Sequence, residues 1–249
     1  MNLEGNDFKH VPLEEDHSVN RLVDLNLYCG YKVIYHQLLE GGGIDQRRDF
    51  LFVISKAGKT HYNHALEWCS GPGVIGYELL GYNKTNRISF IDMHKPAIDS
   101  VLETASRNNI TNRVTTYHTN QIKNIDNAEK FDLVLGNPPH HFTLREWKED
   151  QDRNVVNENR TFNPLVYENQ LRIDVDDNMQ IHKEFFDNLR DKVTDDCDIF
   201  ISEVGDVNPV LRYAKEKGYD LIARWFMRST NPPSGEIIHL RPKFSGFMI

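Results

Sequence analysis

From residue 61 onward, short apolar runs alternate with segments whose apolar residues recur at helical spacing. HALEW (64–68), ISFID (88–92), RVTTYHT (113–119), FDLVLG (131–136), CDIFISEVG (197–205), DLIARWFMR (220–228) and GEIIHL (235–240) read as strands. VIGYELLGY (74–82), KPAIDSVLETASRNN (95–109), MQIHKEFFDNLRDKV (179–193) and NPVLRYAKEKGY (208–219) read as helices. Pro96 stands early in its helix, where a missing N–H costs nothing, and Gly218 stands where a helix stops. Strands that alternate with helices imply a parallel sheet joined by right-handed crossovers. The expectation is an α/β fold around a mostly parallel, seven-stranded sheet.

The first 60 residues follow no such alternation. Residues 1–20 are polar. Residues 21–40 carry apolar side chains at helical spacing, so one helix or two short ones are expected there. Gly41-Gly42-Gly43 breaks the run, and FLFVIS (50–55) reads as a buried strand. This part is therefore expected to be an extension, helical or mixed, ahead of a main domain at 61–249. Within that domain, residues 141–178 are long and polar and form the expected substrate-loop insertion.

Composition narrows the class. The chain has 249 residues, a mean hydropathy of −0.58 and a net charge of −8. No apolar run approaches the roughly 18–20 residues of a spanning helix, and the acidic start MNLEGNDFKH lacks the apolar core of a secretory signal. Cys29, Cys69 and Cys197 are too dispersed for a disulfide framework or a metal knuckle, which points to a reducing, cytoplasmic setting. Residues 141–200 hold 8 basic and 15 acidic side chains, so nearly all the excess acid lies in one segment. The chain as a whole lacks the basic excess of a general nucleic-acid binder.

Two turns carry chemistry. Gly71, Gly73 and Gly76 in CSGPGVIG satisfy GxGxxG between an expected strand and an expected helix, which is the context that lets a backbone approach a bound nucleotide. Asp92 ends the next strand, where a carboxylate accepts hydrogen bonds from ribose hydroxyls. This turn alone does not separate a dinucleotide from another adenosine cofactor. The second turn, Asn137-Pro138-Pro139-His140, follows FDLVLG at the carboxyl end of a strand, where open α/β sheets bind ligands. Two prolines fix φ and remove two donors, leaving free carbonyl oxygens beside Asn137. The Asn137 side-chain oxygen and the Pro138 carbonyl can hold the two hydrogens of a planar NH2 group, with His140 stacked on the flat group that carries it. The same tripeptide recurs as Asn231-Pro232-Pro233 before Ser234-Gly235, where it reads as a plain turn, so position rather than composition carries the argument.

Together, ALEWCSGPGVIG, FID and DLVLGNPPH resemble the class I S-adenosylmethionine (SAM) dependent methyltransferases with a Rossmann-like fold. More narrowly they resemble the amino-group N-methyltransferases whose NPP motif precedes an aromatic residue, among them glutamine N5 and ribosomal RNA base enzymes. The resemblance covers about residues 61–249. It implies SAM as cofactor, Glu67 near its amino group, and Cys69, Gly71 and Gly73 around its methionine part. It further implies Asp92 at the ribose, with Met93 beside it, and Asn120 at the adenine. Asn137, Pro138, Pro139 and His140 become the catalytic group, although His140 stands where the family has Tyr, Phe or Trp. The implied acceptor is a protein glutamine or a nucleic-acid base. A small-molecule amine, or a module that binds SAM or another nucleotide without catalysis, remains a different reading. In the mechanism this implies, no dedicated strong base is needed.

Other candidates read as structural. His61, His64, His140 and His141 lack metal-ligand spacing, so no metal is expected. Trp68 and Trp225 read as packing residues. Arg47, Arg48, Lys56 and Lys59 form a small basic cluster in the extension. Phe162, Pro164 and Tyr167 in the polar loop are placed to cover a target or to pack on the sheet. No helix seam or patch forces an oligomeric state.

Overall fold

The computed structural model describes residues 22–36, 39, 43–149, 174–228 and 235–243. The chain opens with a hairpin, β1 (Leu22–Asn26) and β2 (Lys32–His36), followed by helix α1 (Gly43–Lys56). Then come β3 (Tyr62–Trp68), α2 (Val74–Gly81), β4 (Thr85–Asp92), α3 (Lys95–Arg107), β5 (Val114–His118) and β6 (Phe131–Gly136). Helix α4 (Gln180–Leu189), β7 (Val193–Val204), α5 (Asn208–Glu216), β8 (Tyr219–Phe226) and β9 (Gly235–Pro242) complete it. Seven strands form one sheet in the order β5-β4-β3-β6-β7-β9-β8. The first five of these are parallel, and β9 runs antiparallel to both β7 and β8. The expected α/β class and seven-stranded, mostly parallel sheet are therefore present.

Chain direction across the sheet reverses at β3, which pairs with β4 on one side and β6 on the other. Such a switch point leaves a crevice beyond the strand ends, because the two flanking crossovers leave on opposite faces. Apolar packing fills both faces. One cluster joins Phe50, Tyr77, Leu80, Phe90 and Val101 beneath α1, α2 and α3. The other joins Trp68, Phe185, Phe186, Leu189 and Val210 beneath α4 and α5.

Two expectations in the first 60 residues fail. Residues 22–36 form a hairpin, not a helix. Val23, Leu25, Val33, Ile34 and Tyr35 suit a half-buried sheet surface, and the turn closes through Leu27 N–H to Tyr31 O at 2.8 Å. Helix α3 then braces β2: the Lys32 N–H donates to Asn108 Oδ1 (3.0 Å), Asn108 Nδ2 donates to Lys32 O (2.8 Å), and the Ile34 N–H donates to Thr104 Oγ1 (3.0 Å). FLFVIS is the C-terminal half of α1, not a strand. It buries Phe50, Val53 and Ile54 while leaving Phe52 exposed, which is helical spacing. A short apolar run does not distinguish a buried strand from a buried helix by periodicity, and length decides between them.

Candidate active site

The glycine turn begins where β3 ends. Cys69, Gly71 and Gly73 all have positive φ (53°, 48° and 75°), so the backbone coils tightly beneath the N-terminus of α2. Glu67 sits in β3 two residues before this turn, 3% exposed. Its Oε2 accepts the Gly76 N–H at 2.7 Å. A Cβ on Gly76 would lie 2.4 Å from that oxygen, so the third glycine of the motif makes room for Glu67. Burial pushes the Glu67 carboxyl up to about 8, against the Gly76 hydrogen bond, which pulls it down.

Asp92 closes β4 and ties two turns together. Its Oδ2 accepts the Gly71 N–H at 2.8 Å and its Oδ1 the His94 N–H at 2.7 Å. Burial holds its carboxyl above the usual range despite these donors. Each oxygen keeps a second lone pair for a ligand hydroxyl. The Thr119 N–H donates to Asp92 O at 2.9 Å, which brings the β5 end and Asn120 to the same crevice. Burial also drives the Cys69 thiol well above its ordinary value, so it stays a neutral wall.

The Asn137–His140 turn faces this cluster from β6. Pro138 and Pro139 are buried. Asn137 Oδ1 accepts from Ser202 Oγ at 2.6 Å, which orients the carboxamide. His140 Nδ1 lies 3.8 Å from Glu203 Oε2. One solvent-open pocket is lined by Glu67, Cys69, Gly71, Asp92, Met93, Asn120 and the whole Asn137–His140 turn. Of the residues expected from the sequence, Gly73 alone is outside that lining; it lies where a Cβ would meet the Phe90 ring at 2.7 Å. The pocket also brings in Leu39, Ile75, Asp174 and Ile181, which no motif marked. Ser202, Glu203 and His182 were missed as well. Their signals were present: a Ser-Glu pair inside an apolar strand, and a histidine on the apolar face that carries Phe185, Phe186 and Leu189.

The remaining candidates separate. Trp68 stacks on Phe185 at 4.0 Å, and Trp225 packs on the first cluster. Arg48 lies over the Tyr28 ring, and Arg228 and Lys56 lie over Phe52, whereas Lys59 turns away to Asp196 at 2.8 Å. Phe162, Pro164, Tyr167, the Asn231–Ser234 turn and residues 1–20 lie outside the described residues.

The seven-stranded sheet with its switch point at β3 and the family it matches give the class: a SAM-dependent methyltransferase domain. The chain belongs to the methyltransferase small domain family, whose profile matches residues 42–201. It is 28% identical over 133 residues to a bifunctional methyltransferase of Rickettsia bellii, covering 53% of this chain and 23% of that protein. It is 30% identical over 121 residues to ribosomal RNA small subunit methyltransferase C of Actinobacillus pleuropneumoniae, covering 49% and 34%. The chain thus spans about a third or less of these curated relatives. The crystal structure of Trm5b from Pyrococcus abyssi shares the fold with a TM-score of 0.59 at 12% identity, over 90% of this chain and 56% of that one.

The residues present fit the cofactor. Glu67 lines the pocket with Oε2 accepting from Gly76, and a ligand ammonium beside it would favour the charged carboxylate that burial disfavours. Asp92 offers lone pairs to hydroxyls at the pocket wall.

Proposed function

We propose that this chain transfers a methyl group from SAM to a planar amino or amide nitrogen. The observation that carries the reading is the Asn137–His140 turn sharing one pocket with the glycine turn and Asp92. Glu67 would hold the cofactor ammonium, Asp92 the ribose and Asn120 the adenine edge. SAM supplies an activated methyl group, so the chain's task is to position the acceptor. Ser202 orients Asn137, whose side-chain oxygen and the Pro138 carbonyl would accept both acceptor N–H bonds. An amide or base nitrogen is a weak nucleophile because its lone pair is delocalised. Those hydrogen bonds strengthen as positive charge develops on nitrogen, which is binding realised in the transition state.

For the acceptor we favour a nucleic-acid base. Cation-bearing side chains layered on Tyr28 and Phe52 make a small basic, aromatic surface where α1 meets the β1–β2 turn and the end of β8, and the first residue of α1, Gly43, lines the pocket. The relative named as a ribosomal RNA methyltransferase supports the same choice. A glutamine side chain is the second reading, supported by the acidic charge of residues 141–200. Labelled SAM mixed with total RNA, or with total cell protein, tests both. Label in RNA that nuclease releases supports the base, label in protein supports glutamine, and label in neither defeats methyl transfer to either. Asn137→Ala is expected to slow transfer about 100-fold while SAM affinity by calorimetry stays within about threefold. Equal losses in both would remove Asn137 from the chemistry.

A further inference from the structure

A chain of ionisable side chains runs beneath the Asn137–His140 turn, and neither cofactor binding nor acceptor positioning uses it. Asp176, just before α4, accepts the Ile181 N–H (2.7 Å) and the His182 N–H (3.1 Å), and its Oδ2 lies 2.5 Å from His182 Nδ1. The other ring nitrogen of His182, Nε2, lies 2.8 Å from Glu203 Oε1. The second oxygen of Glu203 faces His140 Nδ1 at 3.8 Å. Asp176, His182 and Glu203 are 1%, 0% and 2% exposed. Glu203 therefore bridges two imidazoles, one sealed in the core and one in the pocket wall.

The charges of this chain do not cancel. A carboxylate on each side of His182 makes both ring nitrogens donors, so the ring is an imidazolium. Burial opposes that charge, but Glu203 and Asp176 push His182 up to about 9. Burial also opposes ionised Glu203, yet His182 and His140 hold it below the ordinary carboxylate range. Two carboxylates against one imidazolium leave one negative charge that is buried and unbalanced, a costly state. His140 Nδ1 is itself buried and makes no hydrogen bond among the described residues, with Glu203 facing it at 3.8 Å. The only ring nitrogen left for the pocket is Nε2. The other titratable groups that line the pocket with His140 are Glu67, Cys69, Asp92, His94 and Asp174, and His141 follows it in the chain.

We propose that His140 is the first acceptor of the proton released by the methylated nitrogen, with Asp176, His182 and Glu203 as positioning residues that face its Nδ1 side with negative charge and balance the imidazolium. This rests on the methyl-transfer reading above. As the nitrogen–carbon bond forms, the carbon–sulfur bond of the donor breaks and the positive charge moves to the acceptor nitrogen. The nitrogen then gives its proton to His140 Nε2 and leaves as a neutral N-methyl product beside a neutral thioether. The imidazolium makes the buried set neutral and returns its proton to solvent. A ring that only stacks on the acceptor needs no carboxylate behind it.

Two measurements on the full chain test the assignment. The first reads the His140 ring nitrogens by NMR at a pH where the ring is neutral. It is expected to show neutral His140 as the Nδ1–H tautomer, and a smaller share of that tautomer in Glu203→Gln. An Nε2–H tautomer, or an unchanged tautomer share in a folded Glu203→Gln, overturns the proposal. If Glu203→Gln does not fold, the wild-type tautomer decides this arm. The second compares His140→Phe with wild type on whichever of total RNA or total protein takes label. His140→Phe keeps a stacking ring and is expected to lose about 100-fold in rate, together with the acidic limb of the pH–rate profile, at unchanged SAM affinity. Retention of rate within threefold overturns the proposal in favour of stacking. Absence of label from wild type at every pH is instead the failure of the methyl-transfer reading, and the NMR arm then judges the charge coupling alone.

Discussion

Gly76 and Glu67 are matched to each other. The 2.7 Å hydrogen bond from the Gly76 N–H exists because no Cβ intervenes; one would sit 2.4 Å from the carboxylate and 2.4 Å from Ile88. Gly76→Ala is expected to cost about 1–3 kcal/mol by overpacking and to weaken SAM binding by displacing Glu67. Denaturant melts and calorimetry check it; an unchanged midpoint with unchanged affinity would mean the turn relaxes freely. Cys69 shows the opposite case. It holds φ 53° without being glycine, a conformation that strains a residue with a Cβ. Cys69→Gly is expected to leave stability equal or raised and SAM affinity within about threefold, read by the same two measurements. The glycine pattern, Asp92 and the Asn137–His140 turn were legible in the sequence because each is a local run with a local geometric demand. Glu203 and His182 were not legible as a pair, since residues 21 apart meet only when β7 and α4 pack.

Among the elements, those with long or regular patterns read well. Helix α3 buries Ala97, Ile98, Val101 and Ala105 on one face, as its spacing requires. The hairpin read badly because its support is remote: α3 supplies the groups that brace the β2 backbone. Asn108→Ala removes two of those bonds and is expected to destabilise the chain by about 1–2 kcal/mol. Hydrogen exchange should then quicken across residues 22–36 and leave β3 and β6 protected. Uniform quickening would show instead that hairpin and sheet open as one unit. Helix α1 belongs with this group, since its FLFVIS half takes its identity from the α2 surface it covers.

For the molecule as a whole, the buried ionisable groups set a pH dependence of stability. His182 is raised from 6.5 to about 9, so its contribution is complete below about pH 6.5 and is lost as pH rises through 9. Glu67 is raised from 4.5 to about 8, so burying it also becomes more costly as pH rises. Both act in the same direction. Stability is expected to decline between pH 6.5 and 9, with His182 contributing about 3 kcal/mol of the change. Denaturant melts at the two pH values should show a flatter decline in His182→Gln; an identical decline would place the effect elsewhere. The sequence by itself determined the alternation that demands a parallel sheet, the two turns at strand ends and the residue types they carry. These follow from backbone sterics and short-range periodicity, which a linear string records. Only the tertiary structure decided that β3 lies between β4 and β6, and that residues 22–36 are strands leaning on α3. It alone set His140 against a buried Asp–His–Glu chain. Those depend on which apolar faces are buried together and on charges brought close by packing, and no local rule of spacing encodes either.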